Sequence, residues 1–298
     1  MTPSALRALA ARHGIRPKKS LGQHFLVEPA LARRIVELAA VEPGSHVVEV
    51  GAGLGSLTVA LAGAGAEVVA VELDRALVPA LTEAVADFRN VRIEAADAVR
   101  ADWEALLPGP GPWSMVANLP YNVAVPVVMR ALETEPRIER LLVMVQREVG
   151  QRLAAGPGDQ EYGAVSVRAA YFAESKVIRR VAPTVFWPQP RVESVLVSLV
   201  RRPPPLDVDQ AALWQVIAEA FAQRRKTMRN AVIRLGVPLD QAESVLAAAG
   251  ISPSARAEEL NLPAFGALAR ALPPEVGRKN HRNGGQSSKG PPERQSRA

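Results

Sequence analysis

The chain has 298 residues, 48% of them hydrophobic, with no cysteine, four histidines and a formal net charge of +6. This composition supports one large domain with a buried core plus a small one, excludes disulfides and thiolate metal sites, and, with so few and such scattered histidines, gives no metal site to expect. No apolar run reaches membrane-spanning length, and residues 1–16 read as a short Ala/Leu/Arg helix without a cleavage pattern, so a cytoplasmic protein with no membrane partner is expected.

Strand-like and helix-like runs alternate from residue 47 to about residue 145, the pattern of a parallel sheet with helices on both faces. The apolar run His46-Val47-Val48-Glu49-Val50 leads into the glycine-rich turn Gly51-Ala52-Gly53-Leu54-Gly55, and residues 56–62 then read as a helix. Strand, glycine turn and helix open a Rossmann-like unit. The next apolar run, residues 67–71, ends in Glu72, about 20 residues beyond the turn, where a carboxylate accepts ribose hydroxyls. A dinucleotide fingerprint wants Gly or Ala where Ser56 stands, and no Lys-Ser or Lys-Thr follows the glycines as a Walker A loop requires. S-adenosyl-L-methionine has no pyrophosphate to cradle, so a tight glycine turn beside carboxylates suits it better. A third strand-like run, residues 90–95, precedes Asp97, which suits either the amino group of a bound adenine or a helix N-cap.

Further along stands Asn118-Leu119-Pro120-Tyr121. An exocyclic adenine nitrogen is a poor nucleophile because its lone pair is delocalised into the ring. The Asn118 side-chain carbonyl and a backbone carbonyl beside Pro120 can accept its two hydrogens and favour a pyramidal nitrogen. Proline fixes the local backbone and removes a competing donor, and Tyr121 offers a flat face to a base taken out of its stack. The plainer reading is a strand exit, with Asn and Pro as turn residues.

Residues 162–173 read as a helix, and residues 176–181 and 192–200 as two strands around a proline-rich loop that holds Phe186. Pro203-Pro204-Pro205 ends both kinds of element. Beyond it, residues 211–222, 227–235, 241–249 and 264–271 read as helices with no strand between them. The expected organisation is a Rossmann-like domain over residues 1–204, a helical domain over 205–273, and a basic tail over 274–298 whose composition is that of a disordered segment. Residues 1–200 hold 21 Lys/Arg and 21 Asp/Glu, whereas residues 201–298 hold 15 and 9. That asymmetry points to a partner with phosphates, most sharply at Arg224, Arg225, Lys226 and Arg229, although a solvated helix face gives the same pattern.

In this order, Lys19-Ser20-Leu21-Gly22-Gln23-His24-Phe25-Leu26, the glycine turn, Glu72, Asp97-Ala98 and Asn118-Leu119-Pro120-Tyr121-Asn122 resemble the ribosomal RNA adenine dimethyltransferases. Gln146-Arg147-Glu148-Val149, Ala155-Gly156-Pro157, Tyr162-Gly163, the stretch from Phe186 to Ser194 and the stretch from Phe221 to Asn230 extend the likeness over about residues 16–271. The resemblance implies an α/β fold of the Rossmann-like class I S-adenosylmethionine-dependent methyltransferases with a small C-terminal all-helical domain. It further implies that His24 and Leu26 contact the donor, that Gly51, with Gly53 beside it in the turn, lies against it, and that Glu72 holds its ribose and Asp97 its adenine. Asn118 is then shared by donor and target amine, Tyr121 stacks on the target base and Phe186 closes that base's other side. Trp187-Pro188-Gln189-Pro190 departs from the run of prolines that many relatives carry, which leaves the geometry of that loop open.

Within the family the chain is most similar to the bacterial small-subunit enzyme, which dimethylates two neighbouring adenines in the 3′-terminal hairpin of 16S rRNA. The implied partner is that RNA in a small ribosomal subunit or its precursor, bound by a monomer. Two other readings stand beside it: a 23S rRNA adenine methyltransferase that confers antibiotic resistance, and a non-catalytic nucleic-acid-binding factor on the same fold.

Overall fold

The computed structural model describes residues 1–223, 225–273 and 276. The chain divides into two compact units, Met1–Asp207 and a second from Val208 onward, so the division falls two residues past the run of three prolines.

The first unit opens with α1 (Pro3–Arg12), whose Thr2 hydroxyl accepts a hydrogen bond from the Ala5 amide at 3.3 Å while Pro3 presets the first turn. After the two-residue β1 (Phe25–Leu26) and α2 (Pro29–Leu38) come β2 (His46–Val50), α3 (Ser56–Gly63), β3 (Glu67–Val71), α4 (Val78–Ala84) and β4 (Val91–Glu94). They are followed by α5 (Trp103–Leu106), β5 (Trp113–Asn118), α6 (Ala124–Thr134), β6 (Ile138–Gln146), α7 (Arg147–Ala154) and α8 (Ala164–Phe172). The helix expected over 162–173 thus starts two residues later, because Ser166 Oγ accepts from the Gly163 amide and begins it there. The unit closes with β7 (Ala173–Val181), the short β8 (Phe186–Trp187) and β9 (Ser194–Arg201).

The main sheet has the order β4-β3-β2-β5-β6-β9-β7, parallel from β4 to β6 and antiparallel from β6 through β9 to β7. Its central strands are covered on both faces, so they are apolar without alternation: Val47, Val48, Val116 and Val143 are fully buried. Each such side chain contributes about 1.5–3 kcal/mol of burial. The chain runs outward from β2 through β3 to β4, then returns to β5 on the other side of β2. This reversal opens a crevice at the carboxyl ends of β2 and β5, the usual ligand position in such sheets. A second, two-stranded sheet pairs Phe25 with Trp187 and Leu26 with Phe186.

The second unit contains α9 (Gln210–Phe221), α10 (Met228–Arg234), α11 (Ala242–Ala248) and α12 (Leu262–Ala271), within a residue or two of the expected helices at most of their ends. Asp209 and Asn261 cap α9 and α12 through their side chains. The expected tail, residues 274–298, lies outside the described residues apart from Val276.

Candidate active site

The crevice is a cleft of about 1020 Å³, counting its open mouth. His24, Leu26, Gly51, Gly53, Glu72, Asp97, Asn118, Leu119, Pro120 and Tyr121 all line it, so five separate stretches of sequence meet there. The glycines explain how the stretches approach. Gly51 has φ +77°, and a Cβ on it would come within 3.1 Å of Pro120 Cδ and 3.5 Å of the Asn118 carbonyl oxygen. Gly53, at φ +58°, faces the Phe25 ring at 3.0 Å in the same sense. Both therefore need the left-handed conformation and the missing side chain together.

Two carboxylates stand at the floor. Glu72 is 7% exposed, and its oxygens are committed to backbone: Oε2 accepts from the Gly53 amide and Oε1 from the Asp74 amide, each at 2.8 Å. Burial pushes its carboxyl above the ordinary range, partly offset by those two amides. Glu49, the acid just before the first glycine, is 1% exposed and accepts from Thr58 Oγ1 at 2.6 Å. Burial raises it to about 8, against the Thr58 hydrogen bond and with the help of the Glu72 charge. Asp97 sits past β4 and is part-exposed; its Oδ1 accepts from the Val99 amide at 2.9 Å, so it also caps a turn of its own.

On the opposite side, Asn118 ends β5, and its Nδ2 donates to the His24 carbonyl at 3.0 Å. That bond occupies the donor end of the amide and leaves Oδ1 as the end able to accept. The Pro120 carbonyl accepts from the Val123 amide at 3.1 Å. The Tyr121 ring lies 5.2 Å from the His24 ring at a 30° tilt, and its hydroxyl shares a 2.9 Å hydrogen bond with Ser194 Oγ. His24 Nδ1 is 2.6 Å from the Pro188 carbonyl oxygen.

Phe186 departs from the expectation. It is 3% exposed, belongs to the apolar cluster that includes Leu26, Val181 and Leu196, and does not line the cleft. Its place in β8, as the partner of Leu26, turns it into support for the cleft wall instead of a second face for a base. The loop after it begins with a cis Trp187–Pro188 bond. The residues that sequence reasoning passed over are Glu49, Ser56, Asp74 and Ser194. Glu49 alone had a local signal, an acid inside an otherwise apolar strand.

The cleft suits a donor with an adenosine and an amino-acid end. Carboxylates with remaining lone pairs lie past β3 and β4. The Ser56 hydroxyl, buried on the cleft wall, has no hydrogen-bond partner among the described residues, and the N-terminus of α3 has no side-chain cap. Those are donors that match a carboxylate. Among the described residues no group of three or more His, Asp or Glu side chains is arranged to hold a metal ion, and no helix is long and apolar enough to cross a membrane.

In the second unit, Arg225 and Lys226 are exposed in the connection between α9 and α10, not on a helix face. Arg229 lies in the first turn of α10 and its Nε donates to Glu243 at 3.0 Å, so this cation already has an acidic partner. Arg224 lies outside the described residues.

Comparison with known proteins agrees with this geometry. Residues 14–267 match the family of ribosomal RNA adenine dimethylases. The ribosomal RNA small subunit methyltransferase A of Streptomyces coelicolor is 49% identical over 271 residues, which are 90% of this chain and 95% of that relative. The dimethyladenosine transferase of Plasmodium falciparum has the same fold, with a TM-score of 0.71 at 21% identity over 82% of this chain and 96% of that one. The 23S rRNA methyltransferase ErmE gives a TM-score of 0.64 at 26% identity, covering 83% of this chain and 99% of its own. A match of this extent, on a Rossmann-like sheet whose cleft holds the glycine turn and the tetrapeptide together, shows that the chain belongs to the ribosomal RNA adenine dimethylases, which take their methyl groups from S-adenosylmethionine.

Proposed function

We propose that the protein methylates N6 of two neighbouring adenines in the 3′-terminal hairpin of 16S rRNA to dimethyladenine. It acts as a cytoplasmic monomer on a small ribosomal subunit or its precursor. The observation that carries this reading is the Asn118 side chain, fastened by the His24 carbonyl in the same cleft as Glu72 and Asp97. The 49% identity to a small-subunit enzyme favours the small subunit over the large one, to which the 26% identical ErmE is directed.

When bound, S-adenosylmethionine supplies an electrophilic methyl group on a sulfonium. Glu72 accepts the ribose hydroxyls through the lone pairs its two amide bonds leave over, Asp97 takes the adenine amino group, and Gly51 and Gly53 let the backbone close against the donor. His24 and Leu26 cover it. Asn118 Oδ1 and the carbonyl of Leu119, just before Pro120, accept the two hydrogens of the target amine and turn its lone pair towards the methyl. Tyr121 carries the target base on the face away from His24. The amine attacks in line, and the residues contribute positioning and charge complementarity, with no strong general base. Arg225 and Lys226, with Arg224 and Arg229 of the same cluster, contact RNA phosphates.

The test supplies labelled S-adenosylmethionine and small or large ribosomal subunits lacking adenine dimethylation, then maps the label. Dimethyladenine in the small-subunit terminal hairpin is expected. Label in the large subunit would move the protein to the resistance branch, and no label despite donor binding would leave a non-catalytic factor.

A further inference from the structure

The segment that brings His24 and Leu26 to the cleft has little regular structure of its own, only a single 3-10 turn over Lys19–Leu21 and the two residues of β1. It is held instead by side chains, and most of the holding falls on one residue outside the cleft. Asp74, between β3 and α4, is 9% exposed. Its Oδ1 accepts from Lys18 Nζ at 2.9 Å and from the Ala76 amide at 3.2 Å, and its Oδ2 accepts from Gln23 Nε2 at 2.9 Å. Gln23 in turn accepts from the Lys18 amide at 2.8 Å, which closes a ring of hydrogen bonds at the start of the segment. Burial pushes the Asp74 carboxyl up, but the bonds from Lys18, Gln23 and Ala76 together outweigh it and keep the group below its ordinary value.

The ring is joined to the cleft floor through one bond. The Asp74 amide donates to Glu72 Oε1, while Glu72 Oε2 holds the Gly53 amide of the glycine turn. The far end of the segment is fixed separately, by Asn118 on the His24 carbonyl and by the Pro188 carbonyl on the His24 ring. A loop of this kind, if loose, must be ordered each time a ligand binds under it, and prior ordering strengthens binding by removing that cost.

We propose that Asp74 is a positioning residue for donor binding: with Lys18 and Gln23 it holds residues 18–26 over the cleft and couples that segment to the carboxylate at the cleft floor. This deepens the reading of Glu72 as the ribose acceptor and rests on it. Asp74 does not line the cleft, so its effect reaches the donor only through the segment and Glu72. The expected signature is therefore weaker donor binding with the chemical step preserved.

The experiment titrates S-adenosylhomocysteine calorimetrically into the full-length wild type, Asp74→Ala and Lys18→Met. It also measures KM for S-adenosylmethionine and kcat on undermethylated small subunits, with thermal melts to check folding. Asp74→Ala should weaken binding and raise the donor KM by about tenfold or more, the loss of a charge-assisted set of hydrogen bonds. Its kcat at saturating donor should stay within about twofold, because KM effects at constant kcat mark lost binding without lost transition-state contacts. Lys18→Met, which removes one half-exposed partner, should move KM the same way by roughly threefold. Unchanged donor affinity in both variants, or a lower kcat at unchanged KM, would overturn the proposal. If Asp74→Ala does not fold, Lys18→Met decides alone. A wild type that fails to bind S-adenosylhomocysteine would instead bring down the donor-site reading and the clamp with it.

Discussion

The two walls of the cleft are built on different physical terms. On the donor wall, at the ends of β2 and β3, the polar groups are buried and committed to nearby protein donors: Glu72 ties down two backbone amides and Glu49 takes the Thr58 hydroxyl. On the target wall, from β5 onward, they are tethered to residues distant in sequence: Asn118 to His24, and Tyr121 to Ser194. The donor wall is thus shaped by short-range backbone geometry around glycines, whereas the target wall depends on two later and earlier pieces of chain being in register. The difference implies that the walls fail separately, one through donor affinity and stability, the other through turnover.

The sharpest way to break this division is Asn118→Ala. It removes the acceptor proposed for the amine and the anchor of the His24 carbonyl, so kcat should fall by about 10²-fold or more, the usual cost of one preorganised polar group aimed at developing charge. Donor affinity, read by calorimetry, should fall less than tenfold; near-normal turnover with unchanged donor binding would dismiss the assignment. A smaller effect tests the target wall alone. Ser194→Ala releases the Tyr121 hydroxyl, and kcat/KM for the subunit should drop about 3–10-fold, the range of one neutral hydrogen bond, while donor affinity stays put. Equal loss in both quantities would mean that the walls are not separable there.

The smallest effect belongs to the donor wall and is read as stability against pH. Glu49 titrates at about 8 in the folded protein against an ordinary value of 4.5. Between those values the folded state holds a proton that the unfolded state has released, so stability falls as pH rises through that window. Glu49→Gln keeps an acceptor for Thr58 and removes the titration. Its melting temperature relative to wild type should therefore shift upwards by a few degrees between pH 5 and pH 9; parallel curves would show that Glu49 is not the group responsible.

Most of the parallel sheet was legible because buried strands leave apolar runs between glycines and charges, as at Val68 to Val71 and, interrupted by Glu49 alone, at Val47 to Val50. Glu72 was legible as a cleft residue for the same reason, since it directly follows such a run, whereas Asp97 stands three residues past β4, whose Arg92 and Glu94 break the apolar pattern. What stayed hidden were partnerships with no sequence spacing. Nothing near Tyr121 announces Ser194, and nothing near Asp74 announces Lys18 and Gln23 on a segment more than fifty residues earlier. Phe186 was misplaced because an aromatic before a proline loop reads alike whether it faces a ligand or a core, and only the pairing of β8 with β1 decides. Arg229 read as one of four cations of a basic cluster, and nothing in that cluster announces its partner Glu243 on another helix.

That β1–β8 pairing also sets an order in time. A ribosome delivers Phe25 and Leu26 early, but their strand partners among the described residues, Trp187 and Phe186, follow after well over half of the chain has been made. The glycine turn, Glu72 and Asn118 are all synthesised before the strand that seats the roof above them. A nascent chain that ends short of Phe186 therefore has Asp74 and Asn118 to hold residues 18–24 but still lacks the strand that pairs with Phe25 and Leu26.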